Sequence, residues 1–297
     1  MELTHLKYFV RLAETLNFTE AARQLFITQS SLSQSIRQTE ETLGIPLFER
    51  IGKKVYLTEA GREFLPYANR AIAETEEGIQ HLQDMQKIYR GELRIGVVHS
   101  LCPLLAACVS RFSQIYPDIT LWLYHSSSVN ELTEMVHDHR IDFAFSYKPF
   151  SLSPLIEAEE LLTVPLCLIV RSGSPLAALH EMSIRTIAGL PLALLENGMY
   201  LRKIIDKLAA ENSVVLQPKV EVNNSNLLLQ IVSTGRWCGI SPHEAIRQFP
   251  DLRAIPIKEA RNNLAVSLLW LKSCYRKTTA QAMMQMLEES VRETFIP

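Results

Sequence analysis

Two sets of polar residues in this chain have the types and spacing to do chemistry. The first lies in Phe18–Glu40, FTEAARQLFITQSSLSQSIRQTE, where Gln29, Ser30, Ser33, Gln34 and Arg37 fall on one side of a helical repeat and Leu32 and Ile36, with Leu43 just beyond the stretch, on the other. A face of amides, hydroxyls and one guanidinium, with no bulky apolar group, supplies the donors and acceptors that base edges in a major groove require. A plain solvated helix face reads the same way, and the residues beyond Glu40 decide between the two. Arg50, Lys53 and Lys54 gather around Gly52, where a protruding cationic turn would serve as a footprint for a phosphate backbone. The second set is scattered. His99-Ser100, His125-Ser126-Ser127-Ser128, Tyr147-Lys148, Glu196-Asn197-Gly198-Met199 and Asn223-Asn224-Ser225 each come after a short apolar run or at its end. Such residues at strand ends are placed to hold a small anion or carboxylate beside helix N-termini.

Other chemistries find little support. The chain has no GxSxG elbow, no HExxH pair and no glycine-rich phosphate loop. His137 and His139 stand two apart on a helical stretch and point to different faces. The five cysteines, Cys102, Cys108, Cys167, Cys238 and Cys274, show no CxxC spacing, and with no export signal they are expected to be reduced thiols. No catalytic residue, metal ligand or cofactor is therefore assigned, although His99 and His125 both sit at strand ends near one crevice. Met283, Met284 and Met286 read as core. The start, MELTHLKYFVRLAETL, mixes charge into its apolar positions, and no apolar run is of transmembrane length, so a cytoplasmic protein with no membrane partner is expected. A net charge of -2 requires any nucleic-acid footprint to be local.

Periodicity gives the helices and strands that carry these residues. The 297 residues, 47% of them hydrophobic, are enough for about two domains. Leu3, Leu6, Phe9, Val10 and Ala13 make Glu2–Leu16 an amphipathic helix ended by Asn17. Thr19 is placed to cap a second helix and Thr28 a third, with Gly44 closing the third. Ile45-Pro46-Leu47-Phe48 then leads into a hairpin to Leu57. This is a helix-turn-helix with a wing. From Thr58, the residues Leu65, Ala68, Ile72, Thr75, Ile79 and Leu82 form a heptad seam opposite a polar face, so that 58–90 reads as one long helix ending near Ile88. The seam either packs on its own chain or pairs with a second copy.

The stretch LKYFVRLAETLNFTEAARQLFITQSSLSQSIRQTEETLGIPLFER, followed by LTEAG, resembles the winged helix-turn-helix of LysR-type transcriptional regulators and covers the first 61 residues. The resemblance implies that Gln29, Ser30, Ser33, Gln34 and Arg37 lie at the major groove of double-stranded DNA, with Arg50, Lys53 and Lys54 on the phosphates. It also implies that 58–90 is a dimerising linker. Ser30 stands where the family usually has Pro, and Gln34 where Arg is common.

Beyond Gly91, apolar runs alternate with helical stretches: Leu93–Val98, Leu101–Tyr116, Ile119–Tyr124, Val129–Arg140 and Asp142–Ser146, then a long extended run Leu155–Arg171. The alternation resumes at Leu192–Leu195, Leu201–Glu211, Lys219–Asn223, Asn226–Trp237 and Cys238–Ser241. The chain then crosses back at Ala265–Leu271 to a last helix Thr278–Phe295. Parallel sheets in two α/β lobes joined by two crossovers are expected. SGSPLA at Ser172–Ala177 and GISP at Gly239–Pro242 resemble the periplasmic-binding-protein-like effector domain of the same family. The expected class is thus α/β with an N-terminal all-α winged helix-turn-helix and a two-lobed periplasmic-binding-protein-like effector domain. Its divisions are 1–57 for DNA binding, 58–90 for the linker and hinge, and 91–297 for the effector domain. Lobe 1 spans about 91–161 and 267–297, and lobe 2 about 162–266. Expected effector contacts are Ser100, Ser128, Tyr147, Lys148, Asn197, Met199 and Asn223, although each serine also serves as a plain helix cap. The resulting expectation is a non-enzymatic homodimer or homotetramer that regulates transcription in response to a small anionic effector. An enzyme or solute-binding module that uses the first unit only to oligomerise is the alternative.

Overall fold

A computed structural model describes residues 1–52, 54–86, 89–259 and 263–295, so that Lys53 lies outside the described residues. The chain divides into two compact units, one built on residues 1–88 and the other on 89–137 with 141–297.

The first unit is a three-helix core with a hairpin. Helix α1, Leu3–Thr15, buries Leu6, Phe9, Leu12 and Ala13, and ends at Leu16 in the left-handed conformation, φ 47°. Asn17, expected to end this helix, instead begins the next: its side chain accepts from the amides of Thr19 and Glu20 and caps α2, Phe18–Gln24. Thr19 consequently lies inside α2, because the capping side chain has to precede the first helical residue. Thr28 accepts from the Ser31 amide and caps α3, Gln29–Leu43, which closes on Gly44 at φ 69°. Leu32 and Ile36 are buried as expected, whereas Leu43, in the last turn, has run past the core and is 37% exposed.

Strands β1, Phe48–Ile51, and β2, Lys54–Leu57, pair antiparallel as the wing, and Gly52 turns at φ 65°. Helix α4 runs over Glu59–Met85, shorter than expected, capped by Thr58 on the Gly61 amide. Gly61 is where α4 approaches the chain that enters the wing: a Cβ there would stand 2.2 Å from the Leu47 carbonyl oxygen, a backbone atom that cannot swing aside. The seam of α4 is divided. Leu65, Ala68 and Ile72 pack on the core formed by Phe9, Leu12 and Leu32, whereas Ile79 and Leu82 are exposed.

In the second unit, strands β3, Gly91–Val98, β4, Ile119–Ser126, and β5, Phe143–Tyr147, pair in parallel with β3 in the middle. Helices α5, Cys102–Ile115, and α6, Val129–His137, connect them. Strand β6, Ile156–Arg171, is the long extended run, and Leu166–Val170 within it is continuously buried. After the short helix α7, Ile184–Ile187, come β7, Ala193–Leu195, α8, Tyr200–Glu211, β8, Val220–Val222, α9, Ser225–Ser233, and β9, Gly239–Pro242. Strand β10, Leu252–Pro256, then precedes the returning strand β11, Asn263–Leu271, and helix α10, Thr278–Phe295.

Both crossovers are strands of the sheet itself, which runs β10-β6-β11-β5-β3-β4 with β9 also on β6. Strand β11 is antiparallel to β5 and β6, and β6 is antiparallel to β9 and β10, so the sheet is mixed where a parallel one was expected. A strand that leaves one lobe and a strand that returns to it must run in opposite directions, and here they hydrogen-bond side by side. Helix α6 stops three residues early because His139 adopts φ 55°, and α9 stops at Ser233 because Gly235 turns at φ 87°. Helix α10 packs on α5, with Cys108 donating to the Met286 carbonyl. Met283, Met284 and Met286 are core, as their sequence context predicts.

Candidate nucleic-acid interface and ligand pocket

In the first unit the Thr28 cap fixes where α3 begins and hence which side chains face outward. Gln29, Ser30, Gln34 and Arg37 are exposed and Ser33 is half-buried. Gln29 accepts from the Thr19 hydroxyl at 3.4 Å, which ties the start of α3 to α2, and Ser30 shares a 2.9 Å hydrogen bond with Thr28. The wing is held by a residue that sequence reasoning missed. Glu40, on α3, accepts from the backbone amides of Leu47 at 2.7 Å and Phe48 at 3.0 Å, so one carboxylate sets the entrance of the wing against α3. Arg50 stands over the Phe18 ring at 4.8 Å, and Arg50 and Lys54 are exposed. Phe26, at φ 55° in the turn between α2 and α3, is 95% exposed.

In the second unit a pocket of about 350 Å³ opens between the loop from β4 to α6 and the loop from β7 to α8. Four of the seven expected contacts line it: Ser128, Asn197, Met199 and Asn223. With them stand Ser126, Glu131, Phe150, Glu196, Tyr200 and Lys203. Ser126 donates to the Glu131 carboxylate in a short hydrogen bond and accepts from the Ser128 amide at 2.9 Å, and Ser128 caps the start of α6 on the Glu131 amide. Ser128 is thus both cap and lining. On the opposite wall no side chain caps α8, which leaves its first amides beside the pocket with Lys203 in the first turn.

Ser100, Tyr147 and Lys148 are not among the lining residues. Ser100 and Tyr147 share a buried 2.6 Å hydrogen bond between their hydroxyls, and burial pushes the Tyr147 phenol well above its ordinary range. The Lys148 ammonium lies 3.7 Å from Glu160. What reaches the pocket from this strand end is indirect. Tyr200 donates to the Lys148 carbonyl at 2.5 Å, stacks on Tyr147 at 6.0 Å and meets Phe150 at 4.9 Å, and burial raises its phenol to about 12. Arg202, nearly buried, supports the loop before α8 by donating to the Leu195 carbonyl at 2.7 Å and to Asp206 at 2.9 Å.

The His99 and His125 rings are edge to face, with Nδ1 of one 3.0 Å from Nε2 of the other. Burial and the neighbouring His125 hold His99 below the usual imidazole range, and burial raises the Cys102 thiol. Among the described residues no disulfide is formed. Among the described residues no helix is long and apolar enough to cross a membrane.

A winged helix-turn-helix ahead of a two-lobed α/β domain with a pocket between its lobes is the architecture of a transcriptional regulator with a DNA-binding and an effector-binding domain. Residues 3–62 match the family of bacterial regulatory helix-turn-helix proteins of the lysR family, and residues 87–292 match the LysR substrate binding domain. The chain belongs to the LysR-type transcriptional regulators. It is 29% identical over 260 residues to the uncharacterized HTH-type transcriptional regulator YwqM of Bacillus subtilis, covering 87% of each chain. A full-length OxyR from Pseudomonas aeruginosa superposes with a TM-score of 0.75 at 19% identity, over 98% of this chain and 95% of that one. Full-length CbnR, solved in complex with its target DNA, gives a TM-score of 0.69 at 22% identity, over 98% of this chain and all of the other.

Proposed function

We propose that this regulator binds a specific double-stranded DNA site as a homo-oligomer and that a small effector in the pocket changes how it holds that site. The observation that carries the reading is the pairing, in one unit, of an exposed polar face on α3 with an exposed cationic wing, both keyed to Glu40. On it, Gln29, Ser30, Ser33, Gln34 and Arg37 read the groove, and Arg50, Lys53 and Lys54 hold the backbone. That CbnR was solved with its target DNA supports a DNA partner for this family. The functional division is 1–57 for reading, 58–90 for pairing and 91–297 for sensing, and the protein acts in the cytoplasm, without catalysis.

The uncapped start of α8, the start of α6 and Lys203 favour an effector with a carboxylate or other anionic group, held by Ser128, Asn197, Met199 and Asn223. Selection from a random duplex library tests the reading. The full-length chain is expected to enrich a site with dyad symmetry, since two small heads multiply the discrimination of one. Enrichment of no common sequence would overturn it.

A further inference from the structure

We propose that His99, Cys102 and His125 form a binding site for a divalent transition metal of the zinc type, beside the effector pocket. The Nδ1 or Nε2 and Sγ donors of the three lie within 4.8 Å of one another. His99 opens the short 3₁₀ turn after β3, Cys102 begins α5 three residues later, and His125 comes from the parallel neighbour β4, where it is in register with Val97. One turn and one strand pairing therefore bring the three together. The 3.0 Å between the imidazole nitrogens is near the about 3.3 Å edge of a tetrahedron whose metal–nitrogen bonds are about 2.05 Å. Two imidazoles and one thiolate are a donor set suited to Zn(II), and His99 and Cys102 are half-buried while His125 is exposed, so solvent reaches the site and water completes the coordination.

Without metal, one imidazole N–H donates to the other ring, and the Cys102 thiol faces the Val98 carbonyl at 3.7 Å. On binding, the Cys102 proton goes to solvent, and the ring that donated its N–H turns to the other tautomer, so that both nitrogens present lone pairs to the ion. Ser126, which lines the pocket and holds Glu131, is the next residue after His125. A metal that fixes His125 to the start of α5 would therefore order the wall of the effector pocket.

The test is titration of the full-length, metal-free chain with Co(II), followed by displacement with Zn(II), in a non-thiol reductant. We expect one metal per chain and a sulfur-to-cobalt charge-transfer band that is absent in Cys102→Ser. His125→Ala, a change at an exposed ring, should lower Zn(II) affinity by at least the about 10- to 100-fold that loss of an outer-sphere partner costs. Either a wild-type chain without the charge-transfer band, or a band that persists in Cys102→Ser, would overturn the assignment. So would unchanged affinity in His125→Ala.

Discussion

At the scale of single residues, the proposed DNA recognition uses two kinds of side chain that mutation should separate. Arg50 and Lys54 carry charge, which attracts any phosphate backbone alike, whereas the Gln29 amide can distinguish one base edge from another. Arg50→Ala and Lys54→Ala are expected to weaken binding to all duplexes and to flatten its salt dependence. Gln29→Ala should cost about 1 to 3 kcal/mol on the cognate site only. Affinities measured for cognate and scrambled duplexes at several salt concentrations check both, and unchanged sequence preference in Gln29→Ala would remove Gln29 from the groove. Glu40 has a different role. Its carboxylate accepts two amides at the entrance to the wing, and hydrogen bonds to a charged group are worth about 1.5 to 3 kcal/mol each. Glu40→Ala should therefore loosen the wing and lower affinity for cognate and scrambled DNA together, with Glu40→Gln recovering part of it. If Glu40→Ala binds as wild type does, the wing is held by other contacts. Nothing in the sequence flagged Glu40, because its partners are backbone amides seven and eight residues on, across a turn whose path only the fold supplies.

At the scale of elements, local chemistry was legible and long-range pairing was not. Thr28, Gly44 and Thr58 end or begin helices where their types and spacing predict, since capping is a contest between neighbours in the chain. That contest was misjudged at Asn17 and Thr19, two residues both able to cap. The antiparallel course of β6 and β11 was hidden because residues about a hundred positions apart form the pairing. Side-chain destinations were hidden for the same reason. Ser100 is used by Tyr147 from a neighbouring strand, and Lys148 faces Glu160 on β6, while Lys203, which the sequence did not single out, lines the pocket from α8. His99 and Cys102 stand three apart in the sequence, yet the ligand that makes them a candidate cluster, His125, comes from the next strand. In α4, one periodicity serves two purposes, and only burial separates them. Leu65, Ala68 and Ile72 belong to the unit's own core, so a pairing surface on α4, as proposed, would narrow to the exposed Ile79 and Leu82. Ile79→Glu with Leu82→Glu would place two carboxylates against an apolar partner at a cost of several kcal/mol. Light scattering should then show monomers with unchanged circular dichroism, and an undiminished oligomer would move the interface to another element.

At the scale of the whole molecule, the proposed function requires that occupancy of a pocket in the second unit alter how the first holds DNA. A ligand shifts an equilibrium between two arrangements only by its difference in affinity for them, so the effector must touch one arrangement better than the other. The pocket supplies such a difference. Its two walls belong to separate lobes, and a small anion that spans Ser128 on one and Lys203 with the start of α8 on the other favours the arrangement in which both are within reach. Tyr200, hydrogen-bonded to Lys148 and stacked on Tyr147, is one contact across the lobes that such a movement would strain or relieve. On the proposed function, the change would pass along the chain into α4 and, in an oligomer, reset the spacing of the reading heads. A thermal-shift screen of small carboxylates and amino acids on the full-length chain should yield at least one compound that raises the melting temperature. Lys203→Ala should weaken that compound about tenfold, or about 1.4 kcal/mol, while leaving DNA affinity without effector intact. Lys148→Ala should respond as wild type does, because its ammonium faces Glu160 rather than the pocket. The decisive measurement is footprint length on the selected duplex, with and without the compound, in all three proteins. A footprint that changes in wild type and Lys148→Ala but not in Lys203→Ala, at concentrations that saturate the first two proteins and not the third, places the switch between these walls. An equal response in Lys203→Ala would place it elsewhere.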